Sequence, residues 1–150
     1  MNLYVFNQNT LEPIGFIDVI TGLTWEEKFA DAGSFELWAP LNDQNTSLLQ
    51  EDNLLWKGGT SAGLIEFKEL SVDDEGTQTI HVQGRLCECY LDFRTIYPAL
   101  IKSGKPTKIM RDLVTNYLIN PSDENRKSPN IQLEPSPIDY GSSISYQRTG

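Results

Sequence analysis

The chain has 150 residues, of which 39% are hydrophobic and 22% are charged, and its formal net charge is −9. This composition is typical of a folded globular protein and excludes a disordered one. The acidic balance disfavours nucleic acid as a partner, because a negative surface repels the phosphate backbone.

No segment has the pattern of an export signal or a membrane span. Residues 1–6 lack the basic start and the long apolar stretch of a signal peptide. No apolar run approaches the roughly 20 residues that cross a bilayer. The two cysteines, Cys87 and Cys89, are too close in sequence to form a relaxed disulfide. We therefore expect synthesis in a reducing cytosol and no membrane partner.

The first 97 residues show the alternation of polar and apolar side chains that predicts a strand meander. The turn at residues 73–76 predicts the clearest hairpin, because its Asp and Gly residues tolerate positive φ. A short helix is predicted over residues 42–50, with Asn42 or Asp43 as its cap. The predicted strands cover residues 3–6, 14–19, 23–29, 35–39, 53–57, 64–72 and 77–84.

The pattern changes after Arg85. A helical turn is predicted at residues 87–91 and a strand at 95–97, ended by Pro98. Apolar residues at helical spacing then predict a helix over residues 107–119. Its stripe consists of Ile109, Met110, Leu113, Val114, Tyr117 and Leu118. A loop over residues 122–137 and a strand over 143–148 follow.

These elements predict two units and a mainly β protein, α+β overall. Residues 1–98 are expected to form a barrel-like antiparallel sheet, because closure removes open sheet edges. Residues 99–150 are expected to begin a small second α/β domain. This domain is expected to be incomplete, since its last strand has no predicted partner. The helix at 107–119 is expected to lie outside the core of the barrel.

The side chains that could carry chemistry do not predict a catalytic set. His81 lies mid-strand between Ile80 and Val82, which would face the core, so His81 is expected on the opposite face. No second histidine exists for an imidazole metal site. A cysteine nucleophile would need His81 as its base, but a strand end and the turn that follows it rarely converge on one point. Cys87 and Cys89 are therefore expected to be buried free thiols.

Two further patterns have a functional and a structural interpretation. The carboxylates at Glu26, Glu27, residues 73–75 and Asp92 could form acid–base pairs, but residues 73–75 are better explained as turn chemistry. The glycine-containing loop at residues 57–63 has neither a G-K-[ST] ending nor a following helix, so it predicts a strand connection rather than a phosphate site.

The tryptophans Trp25, Trp38 and Trp56 leave two interpretations open. Exposed in one cleft, they would favour a sugar platform, whereas packed in the sheets they would favour a structural role. We predict that the protein is not an enzyme and that it has no catalytic, cofactor-binding or metal-binding residue.

Several blocks, taken in order, resemble the N-terminal part of siphophage tail hub proteins. No single block is diagnostic, and the order of the blocks carries the resemblance. They are LYVFN at residues 3–7, IGFID at 14–18, LTWEEKF at 23–29, AGSFEL at 32–37 with Pro40-Leu41, NLLWK at 53–57, GLIEF at 63–67, VQGRL at 82–86, YLDFRTI at 90–96 and ISYQRTG at 144–150.

The resemblance implies a structural component of a phage or prophage tail tip or baseplate hub, forming part of a ring around the tail axis. It implies tail partners, namely the distal tail protein, the tape measure and the tail tip, and a homotrimer for the full-length protein. The implied location is the virion tail, after synthesis in the cytoplasm of the bacterial host. The alternative is a carbohydrate-binding or peptidoglycan-degrading tail module, of which no active-site residue is matched here.

Overall fold

A computed structural model describes residues 3–93, 100–128, 130–135 and 138–148. The chain divides into two compact units, Met1–Asp92 and Phe93–Gly150. The strand predicted at residues 95–97 and the boundary predicted at Pro98 lie outside the described residues. The division into residues 1–98 and 99–150 therefore stays a prediction.

The first unit is a seven-stranded antiparallel sheet with the strand order β2-β1-β5-β6-β7-β4-β3. Each predicted strand of residues 3–84 is present, with ends that differ by up to three residues, and the mainly β fold class is confirmed. The strands are β1 (Leu3–Phe6), β2 (Pro13–Ile17), β3 (Gly22–Glu26), β4 (Ser34–Pro40), β5 (Leu54–Trp56), β6 (Ala62–Val72) and β7 (Gln78–Leu86).

The sheet curls but does not close, so the expected barrel closure is corrected. Within residues 3–93, β2 and β3 are the two edges and no ladder joins them. Both edges still contribute to one apolar core, to which β2 adds Ile17 and β3 adds Leu23 and Trp25. A helix, α1 (Asp43–Leu48), packs beside β2, where a Cβ added to Gly15 would lie 2.8 Å from Leu48. The edge strand β2 is thus partly covered by a helix instead of by a strand.

The alternation of inward and outward side chains along each strand explains which residues form the core. In β4, Phe35, Leu37 and Ala39 are buried as predicted, and the residues between them face outward. The helix α1 begins at its predicted cap, where the Asn42 side chain accepts a hydrogen bond from the Asn45 backbone N–H at 2.7 Å. Burying each large aliphatic or aromatic side chain contributes about 1.5–3 kcal/mol. The core members are Leu3, Val5, Ile17, Phe35, Leu37, Ala39, Leu48, Leu49, Leu55, Ile65, Ile80, Val82 and Leu86.

A β-bulge at Glu66 changes which residues of β6 face the core. Ile65 pairs with Gly84 and Phe67 pairs with Gln83, so Glu66 is the extra residue. Before the bulge the odd-numbered Ile65 is buried in the core. After it the even-numbered residues take the inner face, because they oppose the inward Val82 and Ile80 of β7.

A smaller apolar cluster lies on the outer face of the sheet. The 3-10 turn at Cys87–Leu91, which was predicted as a helical turn, contacts β6 and β7. It buries Leu54, Leu64 and Cys89 together, and Phe6 and Tyr90 pack against them.

The second unit contains a two-stranded antiparallel sheet and a helix. Its elements are β8 (Leu100–Gly104), α2 (Pro106–Val114), a π-helical turn at Thr115–Ile119, a 3-10 turn at Glu124–Arg126 and β9 (Ile144–Arg148). The expectation that β9 has no partner is wrong, because β9 pairs with β8 along all five residues. The strand β8 escaped prediction because it is short and its apolar and polar residues do not alternate over enough positions. The helix α2 contacts β8, and the predicted continuous helix ends as a π turn before Pro121.

Candidate functional site

His81 lies on the outer face of β7, opposite the core, as the alternation predicted. Its ring stacks on the Trp38 ring of β4, with centroids 4.6 Å apart. Its two nitrogens each lie 3.8 Å from a carboxylate oxygen, Nε2 from Glu36 and Nδ1 from Glu69. These distances are too long for hydrogen bonds, and Nε2 is buried without a hydrogen-bond partner. The residue is thus packed against the sheet, rather than freely solvated as a surface strand residue would be.

The two thiols are free, and the thiol form is favoured in both. Cys89 is buried and Cys87 is partly buried. Burial raises the pKa of Cys87 to about 12, and the neighbouring Cys89 and Glu88 add to the rise. Burial also raises the pKa of Cys89, against the lowering effect of Arg85. Reactive cysteines have a lowered pKa, so this environment is the opposite of the one that a nucleophile needs.

The carboxylate of Asp73 stabilises the hairpin turn through hydrogen bonds with the backbone. The Asp73 side chain accepts hydrogen bonds from the backbone N–H groups of Glu75 at 2.9 Å and Thr77 at 2.8 Å. These bonds lower the pKa of Asp73, because they stabilise its ionised form. This is the turn chemistry that the sequence predicted.

Two of the other candidate carboxylates, Glu27 and Asp92, form ion pairs with cations, and Glu26 lies exposed at the end of β3. Glu27 lies 3.7 Å from Lys57, and Asp92 lies 3.6 Å from Arg85. Arg85 also donates to both carboxylate oxygens of Glu66, at 2.7–3.1 Å. This pair lines a shallow, open hollow on the outer face together with Glu36 and Phe67. Among the described residues, no group of three or more His, Cys, Asp or Glu side chains could hold a metal ion.

The glycine-containing loop connects β5 to β6 as predicted. Gly58 and Gly59 adopt positive φ of 99° and 78°, which favours glycine at both positions. Two tryptophans stabilise the loop. Trp56 donates from Nε1 to the Gly59 carbonyl at 3.1 Å, and Trp25 donates from Nε1 to Ser61 Oγ at 3.3 Å.

The three tryptophans lie in three different environments and do not form one platform. Trp25 packs on the core side and stacks on Phe35, with centroids 5.3 Å apart. Trp38 stacks on His81 on the outer face of β4. Trp56 on β5 contacts the rings of Tyr4 and Phe6 on β1. Each is half-buried within the sheet, which is the arrangement that favours a structural role.

The feature that sequence reasoning missed is a row of aromatic side chains across the outer face of β2, β1 and β5. Phe16, Tyr4 and Trp56 occupy directly paired positions on the three strands. The Tyr4 ring centroid lies 6.5 Å from Phe16 and 5.8 Å from Trp56, and Phe6 lies 6.3 Å from Trp56. We call these four residues the aromatic row. Tyr4 and Phe16 are exposed, at 42% and 43%.

The aromatic row could have been found in the sequence. Tyr4 and Phe6 alternate with the buried Leu3 and Val5, so they had to lie on the opposite face. Both faces of β1 are therefore apolar, which is unusual for a strand with one solvated face.

A second exposed aromatic side chain stands apart from any strand. Phe29 lies in the loop between β3 and β4 and is fully exposed. The sequence predicted it inside a strand over residues 23–29, but β3 ends at Glu26. The Phe29 ring is therefore accessible to another molecule.

The comparison with known protein families gives one match that spans nearly the whole chain. Residues 2–146 match the family described as siphovirus ReqiPepy6 Gp37-like proteins. The chain belongs to this family. No curated protein matches it.

Membership in a siphovirus family confirms the phage origin that the resemblance implied, and it supports a structural protein of the phage particle. Among the described residues, no helix combines the length and apolar character that a membrane crossing requires.

Proposed function

We propose that this protein is a structural component of the siphovirus tail tip or baseplate hub, where it forms part of a ring around the tail axis. The aromatic row carries the proposal. It places four rings on the outer face of the first unit, where Tyr4 and Phe16 are exposed and Phe6 and Trp56 are half-buried, whereas a monomeric sheet normally presents polar side chains to solvent. Such surfaces mark protein contacts, and aromatic residues are enriched at the centres of interfaces.

The partners in this proposal are other tail proteins: the distal tail protein, the tape measure and the tail tip. The full-length protein is a homotrimer in the virion. Family membership supports the phage setting, and the net charge of −9 disfavours a role on the packaged genome. The protein acts by assembly and not by catalysis.

The location is tested on purified virions. We expect mass spectrometry of isolated tails to detect the protein, and antibody labelling in electron micrographs to mark the tip. A protein that is abundant in infected cells but missing from purified particles would contradict the proposal.

The competing function is a carbohydrate-binding or peptidoglycan-degrading module. A zymogram on purified cell walls tests it directly, and we expect no cleared zone. The separate positions of Trp25, Trp38 and Trp56 support this expectation, since a sugar platform needs aromatic faces that line one cleft.

A further inference from the structure

Part of β6 forms an open edge of the first unit. β5 pairs with β6 at residues 62–64, and Ile65 still forms backbone hydrogen bonds with Asp52 and Asn53. Within residues 3–93, no strand pairs with residues 68–72 on the side away from β7. We call residues 68–72 the free edge. An edge of this kind can accept a strand from another chain.

The hydrogen bonds of the hairpin show which backbone groups the free edge presents. Asp73 donates its backbone N–H to the Thr77 carbonyl at 3.0 Å, so this pair is hydrogen-bonded across the hairpin. Hydrogen-bonded and non-hydrogen-bonded pairs alternate along an antiparallel ladder. The pairs that Lys68, Leu70 and Val72 form with β7 are therefore not hydrogen-bonded. The N–H and C=O groups of these three residues point away from β7, towards the open side.

The same part of β6 carries exposed apolar side chains. Leu70 and Val72 lie on the core-facing side, like the other even-numbered residues after the bulge, yet they are 53% and 63% exposed. Two features that protect strand edges from pairing, a bulge and an inward charged side chain, lie at its start, at Glu66 and Lys68. The Lys68 side chain is held there, because its Nζ donates to the Thr46 carbonyl at 2.8 Å. The edge beyond Lys68 is thus both apolar and accessible.

The surroundings of the free edge are acidic. Residues 66–79 contain five acidic side chains and one basic side chain, Lys68. Glu69 lies on the outer face and is exposed, as are the three acidic residues of the turn at 73–75. Beside the edge, Glu51 and Lys68 line part of a shallow, open hollow. Charge complementarity therefore favours a partner that brings basic side chains to the outer face and apolar ones to the inner face.

We propose that the free edge binds a strand of another protein in antiparallel orientation, and that this strand alternates apolar and basic side chains. Its backbone bonds to Lys68, Leu70 and Val72, which continues the antiparallel pairing of the sheet. Directly opposed residues share a face, so its apolar side chains cover Leu70 and Val72 while its basic side chains lie beside Glu69. The net charge of −9 disfavours a second copy as the partner. This contact adds a second surface to the aromatic row.

Fluorescence anisotropy of the full chain with a labelled peptide of alternating valine and lysine tests the proposal. We expect saturable binding at a salt concentration of about 0.1 M, where charges are screened beyond roughly 10 Å. Two control peptides should each bind roughly ten-fold more weakly or worse. One has the same composition with its valines grouped together, and the other has glutamate in place of lysine.

Methylation of the peptide nitrogens separates strand pairing from the attraction of charges. In the antiparallel arrangement the valines lie directly opposite Leu70 and Val72, so their N–H groups face the free edge, whereas the lysine N–H groups face solvent. N-methylation of the valines should therefore abolish binding. N-methylation of the lysines is the matched control and should preserve it.

Leu70→Pro makes the corresponding change in the protein. Proline removes the N–H that Leu70 presents at the edge, and no hydrogen bond to β7 is lost, because that N–H points away from β7. We expect binding to weaken roughly ten-fold or more, whereas Leu70→Ala, which keeps the N–H, should bind more tightly than Leu70→Pro. Circular dichroism shows whether both variants fold, and the methylated peptides test the wild type whatever that result.

No binding of the alternating peptide would overturn the proposal. Equal binding of the two methylated peptides, or of the peptide with grouped valines, would also overturn it, because attraction of charges alone would then explain the signal. Association of the chain with itself that Leu70→Pro abolishes would assign the free edge to a second copy and refute the choice of partner. Peptide binding by a protein that is missing from virions would refute the tail role alone.

Discussion

The ring of His81 lies parallel to the ring of Trp38, with 4° between the two planes and 4.6 Å between the centroids. This pair joins β7 to β4 on the outer face at directly opposed positions of the ladder. Gly22 of β3 continues the row, and its lack of a side chain leaves room for the indole. The contact therefore ties three strands together at the edge where the sheet remains open.

The stacking, rather than the imidazole chemistry, should account for the contribution of His81 to stability. We expect His81→Phe to unfold within about 0.5 kcal/mol of the wild type, because it keeps the stack and removes a buried nitrogen that lacks a hydrogen bond. His81→Ala should lose about 1–2 kcal/mol. Urea unfolding measures both. Equal losses in the two variants would show that the stack is not the source of stability.

A close approach of two strands makes glycine necessary at position 84. A Cβ added there would lie 1.8 Å from the Leu64 carbonyl oxygen, which is backbone and cannot move aside easily. Gly84→Ala should therefore destabilise the protein by about 3 kcal/mol or more. Gly59→Ala is the control, since nothing lies within 4 Å and only its positive φ costs about 1–2 kcal/mol. Thermal unfolding that ranks the two variants in the reverse order would contradict this account.

Stability should fall at alkaline pH because of the buried thiols and Tyr90. Burial raises the pKa of Cys87 from 9.0 to about 12 and that of Tyr90 from 10.0 to about 12. The folded state therefore holds these protons more tightly than the unfolded state does. Their contribution is complete below pH 9 and is lost as the pH rises from about 9 towards 12. Urea unfolding between pH 7 and 11 should show this decline.

The variant Cys87→Ala separates the thiol from other alkaline effects. Its free energy of unfolding should decline less above pH 9 than that of the wild type, and its value near pH 7 serves as the baseline.

In the folded wild type, both thiols should also react slowly with a thiol reagent at pH 8 and become reactive in urea. Rapid labelling of the native protein would show that the thiols are not protected.

Phe29 should matter for assembly and not for folding. Because its side chain is fully exposed, Phe29→Ser should leave the free energy of unfolding within about 0.5 kcal/mol of the wild type. We expect the same change to reduce incorporation of the protein into tails, measured by quantitative mass spectrometry of purified particles. Lys28→Ser, at the neighbouring position, is the control. Normal incorporation of Phe29→Ser would exclude this side chain from the tail contacts.

The sequence predicted which segments form strands better than it predicted how the strands are arranged in the sheet. Alternation and turn residues predicted β4, the hairpin of β6 and β7, and the cap at Asn42, because each depends on neighbours along the chain. Sheet closure depends on contacts between β2 and β3 and on the position of α1, which no local pattern encodes. The missed β8 has only five residues, and its partner β9 lies about forty residues later.

The sequence did not predict the candidate surfaces for a related reason. Alternation along β1 places Tyr4 and Phe6 opposite the core, but only the register of Tyr4 against Phe16 and Trp56 shows that the rings of three strands form one row. The unequal formal net charge of the two units, −12 for residues 1–92 and +3 for residues 93–150, could be counted only after the structure had shown where the chain divides.

The bulge at Glu66 separates the part of β6 that is fixed by the core from the part that is free to vary in length. Residues before it are held by β5 and the core, while the hairpin beyond it pairs with β7 as far as Val72. Adding two residues to each strand of this β6–β7 hairpin would extend its reach by about 7 Å and leave every existing side chain on its present face. Adding a single residue to one strand would turn Leu70 and Val72 outward. The distance that this hairpin spans can thus change during evolution in even steps, without any adjustment of the core that supports it.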